Sequence, residues 1–288
     1  LASFIGSGEL PSAYLNGEWL AVADAKVSVL DRGFLFGDGV YEVIPVYQGK
    51  LFCLDRHIAR FLNSLAEVYM DSPLDAAGWA SLLQTAVEKS GDETASLYLQ
   101  MTRGADVARS FVYPAEPNPT IFIMVNPAPN LQRENVTPLK LATLEDFRWD
   151  RGHIKTTSLI AAGILKNQAI AAGADDAALY KEGKVTEASS ANLFAVLDGV
   201  VVTPPKSTRL LHGITRDFLI ELAQQNKIPV EEREITVAEL KQADEVFITS
   251  STMEVWPVGR IDDDPVGNGA AGIMWQKLDA LFQQYKVM

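Results

Sequence analysis

Residues 153–196 read HIKTTSLIAAGILKNQAIAAGADDAALYKEGKVTEASSANLFAV, and how this stretch folds decides how the rest of the chain is understood. Lys155 stands between a β-branched isoleucine and two threonines, just ahead of an Ala/Ile/Leu-rich run that predicts a buried helix. A strand (AALY), a turn at KEGK and a second strand (VTEASSANLFAV) follow. The second strand carries a solitary carboxylate, Glu187, ahead of small hydroxyl residues. Desolvation at the entry of a buried helix lowers a lysine pKa, and a lysine so tuned can add to a carbonyl at neutral pH. Taken alone, a lysine near a helix start is ordinarily solvated. The case therefore rests on the surrounding residues.

Composition narrows the class. The chain has 288 residues, enough for one large or two medium domains with a sizeable core. Its net charge of -12 and pI near 4.8 argue against nucleic acid and against anionic membrane surfaces as partners. A single cysteine, Cys53, excludes an internal disulfide framework. His57, His153 and His212 lie far apart in sequence, so no zinc or His-rich metal site is expected. No apolar run reaches membrane-spanning length and no signal segment opens the chain, which makes a cytoplasmic enzyme the expectation.

Upstream of Lys155, LNGEW, GDG and QGK are turn signals between short strands. In VYEVIPVY a period of two puts Tyr41, Val43, Pro45 and Tyr47 on one face, and Val40, Glu42, Ile44 and Val46 on the other. Pro45 cannot donate to a ladder and points to an edge or a bulge. Ile58, Phe61, Leu62, Leu65 and Val68 recur at helical spacing in LDRHIARFLNSLAEVYM, with Asp55 as its N-cap. Arg56, His57 and Arg60 oppose the helix dipole there and call for an outside partner or solvation; a solvated face is the expectation. A second helix covers 74–90, and the strands SLYLQMTRG and PTIFIMVNP bracket the loop ADVARSFVYPAEPN. In that loop Arg109 lies between small and aromatic residues, a fair place for a guanidinium that reads an anion. The proline-rich, aperiodic NPAPNLQRENVTP reads as a linker. The expected organisation is an N-terminal domain at 1–125, a linker at 126–136 and a C-terminal domain at 137–288, with residues 1–12 wrapping the surface.

In the C-terminal half, LKLATLEDFRW predicts a strand and DGVVVTPP closes a hairpin at Asp198 and Gly199. Gly213, Ile214 and Thr215 open a helix, where free backbone N–H groups and the dipole favour an anion. Thr249, Ser250, Ser251 and Thr252 stand at a strand end, and an amphipathic helix closes the chain at about 270–286. GNGAAG at 267–272 matches the dinucleotide fingerprint by letter. It follows the acidic turn IDDDPV rather than a buried strand, however, and too little chain remains for a βαβ unit, so it reads as a turn feeding the last helix. No P-loop, nucleophile elbow or HExxH is present.

These pieces make joint chemical sense as a pyridoxal phosphate site. A desolvated lysine would hold the aldehyde as an imine, and a solitary carboxylate would keep the ring nitrogen protonated. Arg60, the helix start at 213–215 and the hydroxyls at 250–252 would cup the phosphate.

Over nearly its full length the chain resembles the fold-type IV pyridoxal-phosphate aminotransferases, and among them it is most similar to the bacterial D-amino acid aminotransferases. The resemblance is carried by DRGFLFGDGVYEV (31–43), HIARF (57–61), YLQMTRG (98–104), IKT (154–156), KVTEASSANLF (184–194), GITR (213–216) and ITSSTMEVWPV (248–258). It implies a mixed α/β chain with a smaller N-terminal α/β sandwich domain and a larger C-terminal pseudo-barrel domain. It implies pyridoxal 5′-phosphate as cofactor and ping-pong transfer of an amino group from a D-amino acid to a 2-oxo acid such as 2-oxoglutarate or pyruvate. It also implies a homodimer with active sites near the subunit interface.

Position by position, Lys155 matches the Schiff-base lysine and Glu187 the partner of the pyridine nitrogen. Arg60 matches the phosphate arginine, with Gly213, Ile214, Thr215, Ser250 and Ser251 completing the cup and Ser190 beside the cofactor. Leu211 falls where the family packs a leucine against the ring, and Tyr41 and Val43 fall on the substrate side with Arg148 near them. The family grips the substrate carboxylate with an Arg-x-His pair. Here Arg109 matches the arginine, but Phe111 replaces the histidine. Losing that donor forfeits one charge-assisted hydrogen bond, worth about 1.5–3 kcal/mol when desolvated, and implies weaker carboxylate selection that extends to hydrophobic substrates or (R)-primary amines. Pro45, where some relatives carry a charge, loosens specificity further. Two rivals of the same fold, a branched-chain L-amino acid aminotransferase and an aminodeoxychorismate lyase, would keep the lysine and the glutamate. A two-domain anion-binding protein without covalent chemistry is the rival from another class.

Overall fold

Asn16 and Gly17 both take positive φ, 49° and 101°, and so turn β1 (Ser12–Leu15) back onto β2 (Glu18–Ala21), as LNGEW predicts. The computed structural model of the chain describes residues 12–128, 131, 133 and 136–287. Of the expected surface wrap of residues 1–12, residues 1–11 lie outside them, as do linker residues 129, 130, 132, 134 and 135, while Ser12 begins β1. Two compact units emerge among the described residues: 12–128 with Ile154–Leu159, and 131, 133 and 136–153 with Ile160–Lys286.

The first unit continues with α1 (Arg32–Phe36), β3 (Gly39–Tyr47), β4 (Lys50–Leu51), α2 (Leu54–Glu67), α3 (Ala76–Ser90), β5 (Thr94–Thr102) and β6 (Thr120–Pro127). Its strands form one sheet in the order β2-β1-β6-β5-β3-β4. The alternation along β3 works as expected. Val40, Ile44 and Val46 share a core with Ile58, Phe61 and Leu65 of α2 and with Trp79 and Leu83 of α3. The N-cap of α2 is Cys53, at φ 46°, rather than Asp55, whose carboxylate lies in the first turn and suits the dipole there.

β5 pairs along the whole of β3, whereas β4 covers only Val46 and Tyr47 on the other side, so β3 has the open edge that Pro45 foreshadows. Residues 154–157 fill that edge. The Tyr41 N–H donates to the Lys155 carbonyl at 3.0 Å, the Thr157 N–H donates to Gly39 O at 2.9 Å, and Val40 bridges Thr156 antiparallel. Thr157 Oγ1 adds a bond to Gly37 O at 3.0 Å, and Ile154 enters the core. The assignment of residues 137–288 to one domain is therefore corrected at 154–159, because their backbone partners belong to the first unit.

The second unit holds β7 (Leu139–Glu145), α4 (Ile160–Ala171), β8 (Asp176–Lys181), β9 (Lys184–Ala188), β10 (Asn192–Leu197), β11 (Val200–Thr203) and α5 (Ile214–Gln225). It continues with β12 (Val230–Glu232), α6 (Val237–Lys241), β13 (Glu245–Ser250), β14 (Glu254–Ile261), β15 (Asp264–Pro265) and α7 (Ile273–Tyr285). Strand order is β12-β11-β10-β13-β14-β7-β8-β9, with β15 against β14. β9 and β10 stand five places apart in that order, yet only residues 189–191 join them and the Ala188 N–H donates to Ala191 O at 2.8 Å. A flat sheet cannot satisfy both facts, so the sheet curls, in keeping with the pseudo-barrel expectation. Asp198 and Gly199 make the β10–β11 hairpin at φ 51° and 78°. The Ala/Ile/Leu-rich run forms α4, but it is not buried all round. Leu165 and Ala169 face the core, while Ile160, Ile164 and Ile170 are exposed. The surroundings of Lys155 thus come from a strand edge and not from a helix entry.

Gly104, at φ 85°, begins the loop between β5 and β6, and a Cβ there would lie 1.7 Å from the carbonyl oxygen of Asn118. Gly104→Ala is expected to lose on the order of 2–4 kcal/mol from the combined φ strain and backbone clash. Calorimetry should show a midpoint lower by several degrees; a wild-type midpoint would contradict the geometry.

Candidate active site

The ladder that seats residues 154–157 decides where Lys155 points. Its neighbours Ile154 and Thr156 are buried at 4% and 8% exposure, so by alternation Lys155 takes the opposite face. There its Nζ lies 4.4 Å from the centroid of the Tyr41 ring, and its backbone N–H meets Ser64 Oγ at 3.3 Å. The Tyr41 ring lies 5.7 Å from that of Tyr98, whose hydroxyl donates to Gln100 Oε1 at 2.6 Å. Val43, directly across the ladder from Tyr98, is partly buried on the same face. Burial, and then the neighbouring Tyr41, push the Tyr98 hydroxyl up to about 12. It therefore stays a neutral donor at working pH. Lys155, Tyr41 and Val43 are thus brought together as expected, with Tyr98 and Gln100 added.

On the opposite face of β3, Glu42 meets the first turns of α2. Its carboxylate accepts from Arg60 Nε and NH2, both at 2.7 Å, and contacts His57 Nδ1 at 2.8 Å. Glu42 is fully buried and His57 is 1% exposed. Burial would raise the Glu42 pKa, but Arg60 and His57 hold it down at about 2; burial keeps His57 below its ordinary value. The expectation of a solvated cationic face is therefore overturned at His57 and Arg60. Both lie against a buried carboxylate, the outside partner that cations at a helix start require. Glu42 also fixes the plane of the Arg60 guanidinium by a bidentate grip.

Arg109 and Phe111 lie in the β5–β6 loop and are exposed. The Phe111 ring packs 5.2 Å from Phe36, and the Arg109 guanidinium lies 5.0 Å from the Phe36 centroid and 5.6 Å from that of Phe111. An aromatic pair thus underlies the arginine where the family pattern has a histidine.

In the second unit, Glu187 sits on β9 just before the turn that curls the sheet. It is 5% exposed, and three donors converge on its carboxylate: Arg148 NH1 at 2.9 Å, the Leu211 N–H at 3.1 Å and Asn192 Nδ2 at 3.2 Å. Burial pushes its pKa up to about 7 against the pull of Arg148 and the Leu211 N–H. Arg148, expected near the substrate side, has its guanidinium on Glu187. Its remaining donors, Nε and NH2, both go to Asp146, at 2.9 and 2.8 Å. Asp146, which burial would raise, is held low by Arg148 and Thr186.

Asn192 joins this carboxylate to the anion-binding elements. Its Nδ2 also donates to Leu211 O at 2.8 Å, and in the ladder it stands opposite Thr249 at the end of β13. Its Oδ1 would lie 2.0 Å from a Cβ on Gly213, which explains the glycine at that N-cap. No side chain caps the start of α5, where Ile214 and Thr215 stand in the first turn. Ser250 and Ser251 follow Thr249, and Ser250 Oγ accepts from the Met253 N–H at 3.1 Å. Ser190 is exposed in the β9–β10 turn, and Leu211 is partly buried.

The residues present fit pyridoxal phosphate. A buried carboxylate lifted to about 7 is complemented by a protonated ring nitrogen. The uncapped α5 start suits a phosphate, and Thr249 Oγ1 nearby is buried without a hydrogen-bond partner. Sequence reasoning missed Glu42, Asp146 and Asn192. Glu42 had a usable signal, a carboxylate on the core face of a strand followed by a helix whose first turns are crowded with cations.

The amino-transferase class IV family matches residues 39–261. D-alanine aminotransferases are among the chain's relatives. The one from Bacillus licheniformis is 38% identical over 93% of this chain and 94% of its own length, and the one from Staphylococcus aureus (strain COL) is 38% identical over 94% and 96%. Among solved structures, the branched-chain aminotransferase of the thermophilic archaeon Thermoproteus uzoniensis, with norvaline, superposes with a TM-score of 0.86 at 27% identity, covering 96% of this chain and 94% of that one. The chain belongs to the class IV aminotransferases and has their fold. It is a pyridoxal-phosphate-dependent aminotransferase.

Because the folded pKa of Glu187 is raised, its contribution to stability is present below the unfolded value near 4.5 and is lost as pH rises through about 7. Without cofactor, the wild type should lose on the order of 3 kcal/mol through this group between pH 4.5 and 8. Glu187→Gln, whatever its pH-independent cost, should remove that part of the slope in urea midpoints measured against pH; parallel curves would contradict the assignment.

Proposed function

We propose that the chain transfers the amino group of a D-amino acid to a 2-oxo acid. The observation that carries this reading is the seating of Lys155 on the edge of β3 with its side-chain nitrogen at the Tyr41 ring. The substrate class follows the D-alanine aminotransferases to which the chain is similar. When bound, pyridoxal phosphate supplies an aldehyde that carries the amino group and a protonated ring that takes up electron density from the substrate Cα. Lys155 would hold the aldehyde of the bound cofactor and, when released from it, would be the base that moves the substrate Cα proton. Glu187, fixed by Arg148, Asn192 and the Leu211 N–H, keeps the ring nitrogen protonated. Following the family pattern, Arg60, the N–H groups of Ile214 and Thr215, and the hydroxyls of Ser250 and Ser251 would hold the phosphate, and Leu211 would face the ring. Arg109 takes the donor carboxylate, and an acceptor 2-oxo acid then returns the amino group through the same residues, so initial-rate plots should be parallel.

A second copy of the chain belongs to the same reading. Phe34, Val107, Phe111 and Val112 are 71%, 94%, 77% and 77% exposed, apolar surface of the kind a homodimer covers. A cytoplasmic location also fits, the sole cysteine being a free thiol. The branched-chain reading is kept open by the structural neighbour at 27% identity.

A donor panel of D-alanine, L-leucine and (R)-1-phenylethylamine against 2-oxoglutarate separates these readings. D-alanine should be the preferred donor, with measurable turnover of the amine. Phe111→His should lower KM for D-alanine by about tenfold through the restored charge-assisted bond, and should leave the amine unchanged. L-leucine turning over faster than D-alanine would transfer the assignment to the branched-chain class.

A further inference from the structure

The loop that carries Arg109 and Phe111 is exposed, yet its main chain is held by a buried guanidinium. Arg32, 3% exposed at the start of α1, donates through NH1 to the carbonyls of Ser110 and Val112, and through NH2 to that of Phe111 at 3.5 Å. Its Nε bonds Asp38 at 2.7 Å, and its guanidinium lies 4.9 Å from the Phe36 ring. Asp38 also receives Nε and NH2 of Arg103, whose remaining donors reach the carbonyls of Val68 and Tyr69. The Arg103 guanidinium stacks 3.6 Å from the Tyr113 ring centroid, one residue beyond the clasped carbonyls.

Two buried guanidinium groups share the Asp38 carboxylate here, and the donors it leaves over are met by backbone carbonyls, with aromatic faces against both groups. Arg32 directs its own to the carbonyls of Ser110, Phe111 and Val112, and a planar fork on three consecutive carbonyls narrows the paths open to that stretch of main chain.

We propose that Arg32 is a positioning residue for substrate selection: its fork across the carbonyls of 110–112 aims Arg109 and sets Phe111 against Phe36. The proposal rests on the reading of Arg109 as the carboxylate grip. An ammonium keeps the charge but is a compact point donor that cannot span three carbonyls in a plane.

The test uses the holoenzyme with D-alanine and 2-oxoglutarate, comparing wild type, Arg32→Lys, Arg109→Ala and the double variant. Arg32→Lys should raise KM for D-alanine about tenfold, the loss of one charge-assisted bond, with kcat within roughly twofold of wild type. The double variant should be no worse than Arg109→Ala, since Arg32 acts through Arg109. If Arg109→Ala raises KM while Arg32→Lys leaves KM at the wild-type value, or if the two effects add in full, the positioning role is overturned and the grip stands. If Arg109→Ala itself leaves KM unchanged, the grip falls and the proposal falls with it. Should Arg32→Lys not fold, Tyr113→Leu removes the stack from the exposed side and should raise the same KM roughly threefold; an unchanged KM in that variant overturns the proposal as well.

Discussion

Two backbone hydrogen bonds between residues 154–157 and the open edge of β3, which together pair Val40 with Thr156, are the constraint on which the rest depends. A ladder has a period of two, so one residue of slip would turn Lys155 into the core and Ile154 out of it. Ile154 prevents the slip. It is 4% exposed and packs with the α2 and α3 side chains, so apolar burial on one face sets the register that presents an amine on the other. A residue contributed between β7 and α4 thereby becomes part of the first unit.

Around that constraint, two buried glutamates are tuned in opposite directions by how their donors are shared. Glu42 has both oxygens on Arg60 and a further contact with His57, and it is held at about 2. Glu187 is buried as deeply but receives only one nitrogen of Arg148, because Asp146 takes the other two; its pKa rises to about 7. The first carboxylate is a permanent anion that orients a cation. The second is ready to share a proton with a basic ring. Identical side chains thus acquire different chemistry from the number of guanidinium bonds each receives.

Much of this is legible in the sequence where local patterns decide structure. The period of two in VYEVIPVY assigns the faces of β3 correctly, and Pro45 points to its open edge. The turns at Asn16-Gly17 and Asp198-Gly199, and the uncapped start of α5, follow from residue type. What stays hidden depends on partners distant in sequence. Nothing near Lys155 says that its backbone pairs with Tyr41, more than a hundred residues earlier, so from sequence alone the apolar run after it reads as a buried helix. Arg148 reads as a substrate residue because its bond to Glu187 spans 39 positions. His57 and Arg60 read as solvated because Glu42 lies on another element.

The central claim is that this strand edge makes Lys155, among all the lysines, the amine that carries the aldehyde cofactor. Borohydride reduction of the yellow holoenzyme, followed by peptide mass mapping, tests it most directly. The account predicts a single pyridoxyl adduct on the peptide containing Lys155. An adduct on any other lysine, or bleaching with no modified peptide, would contradict it.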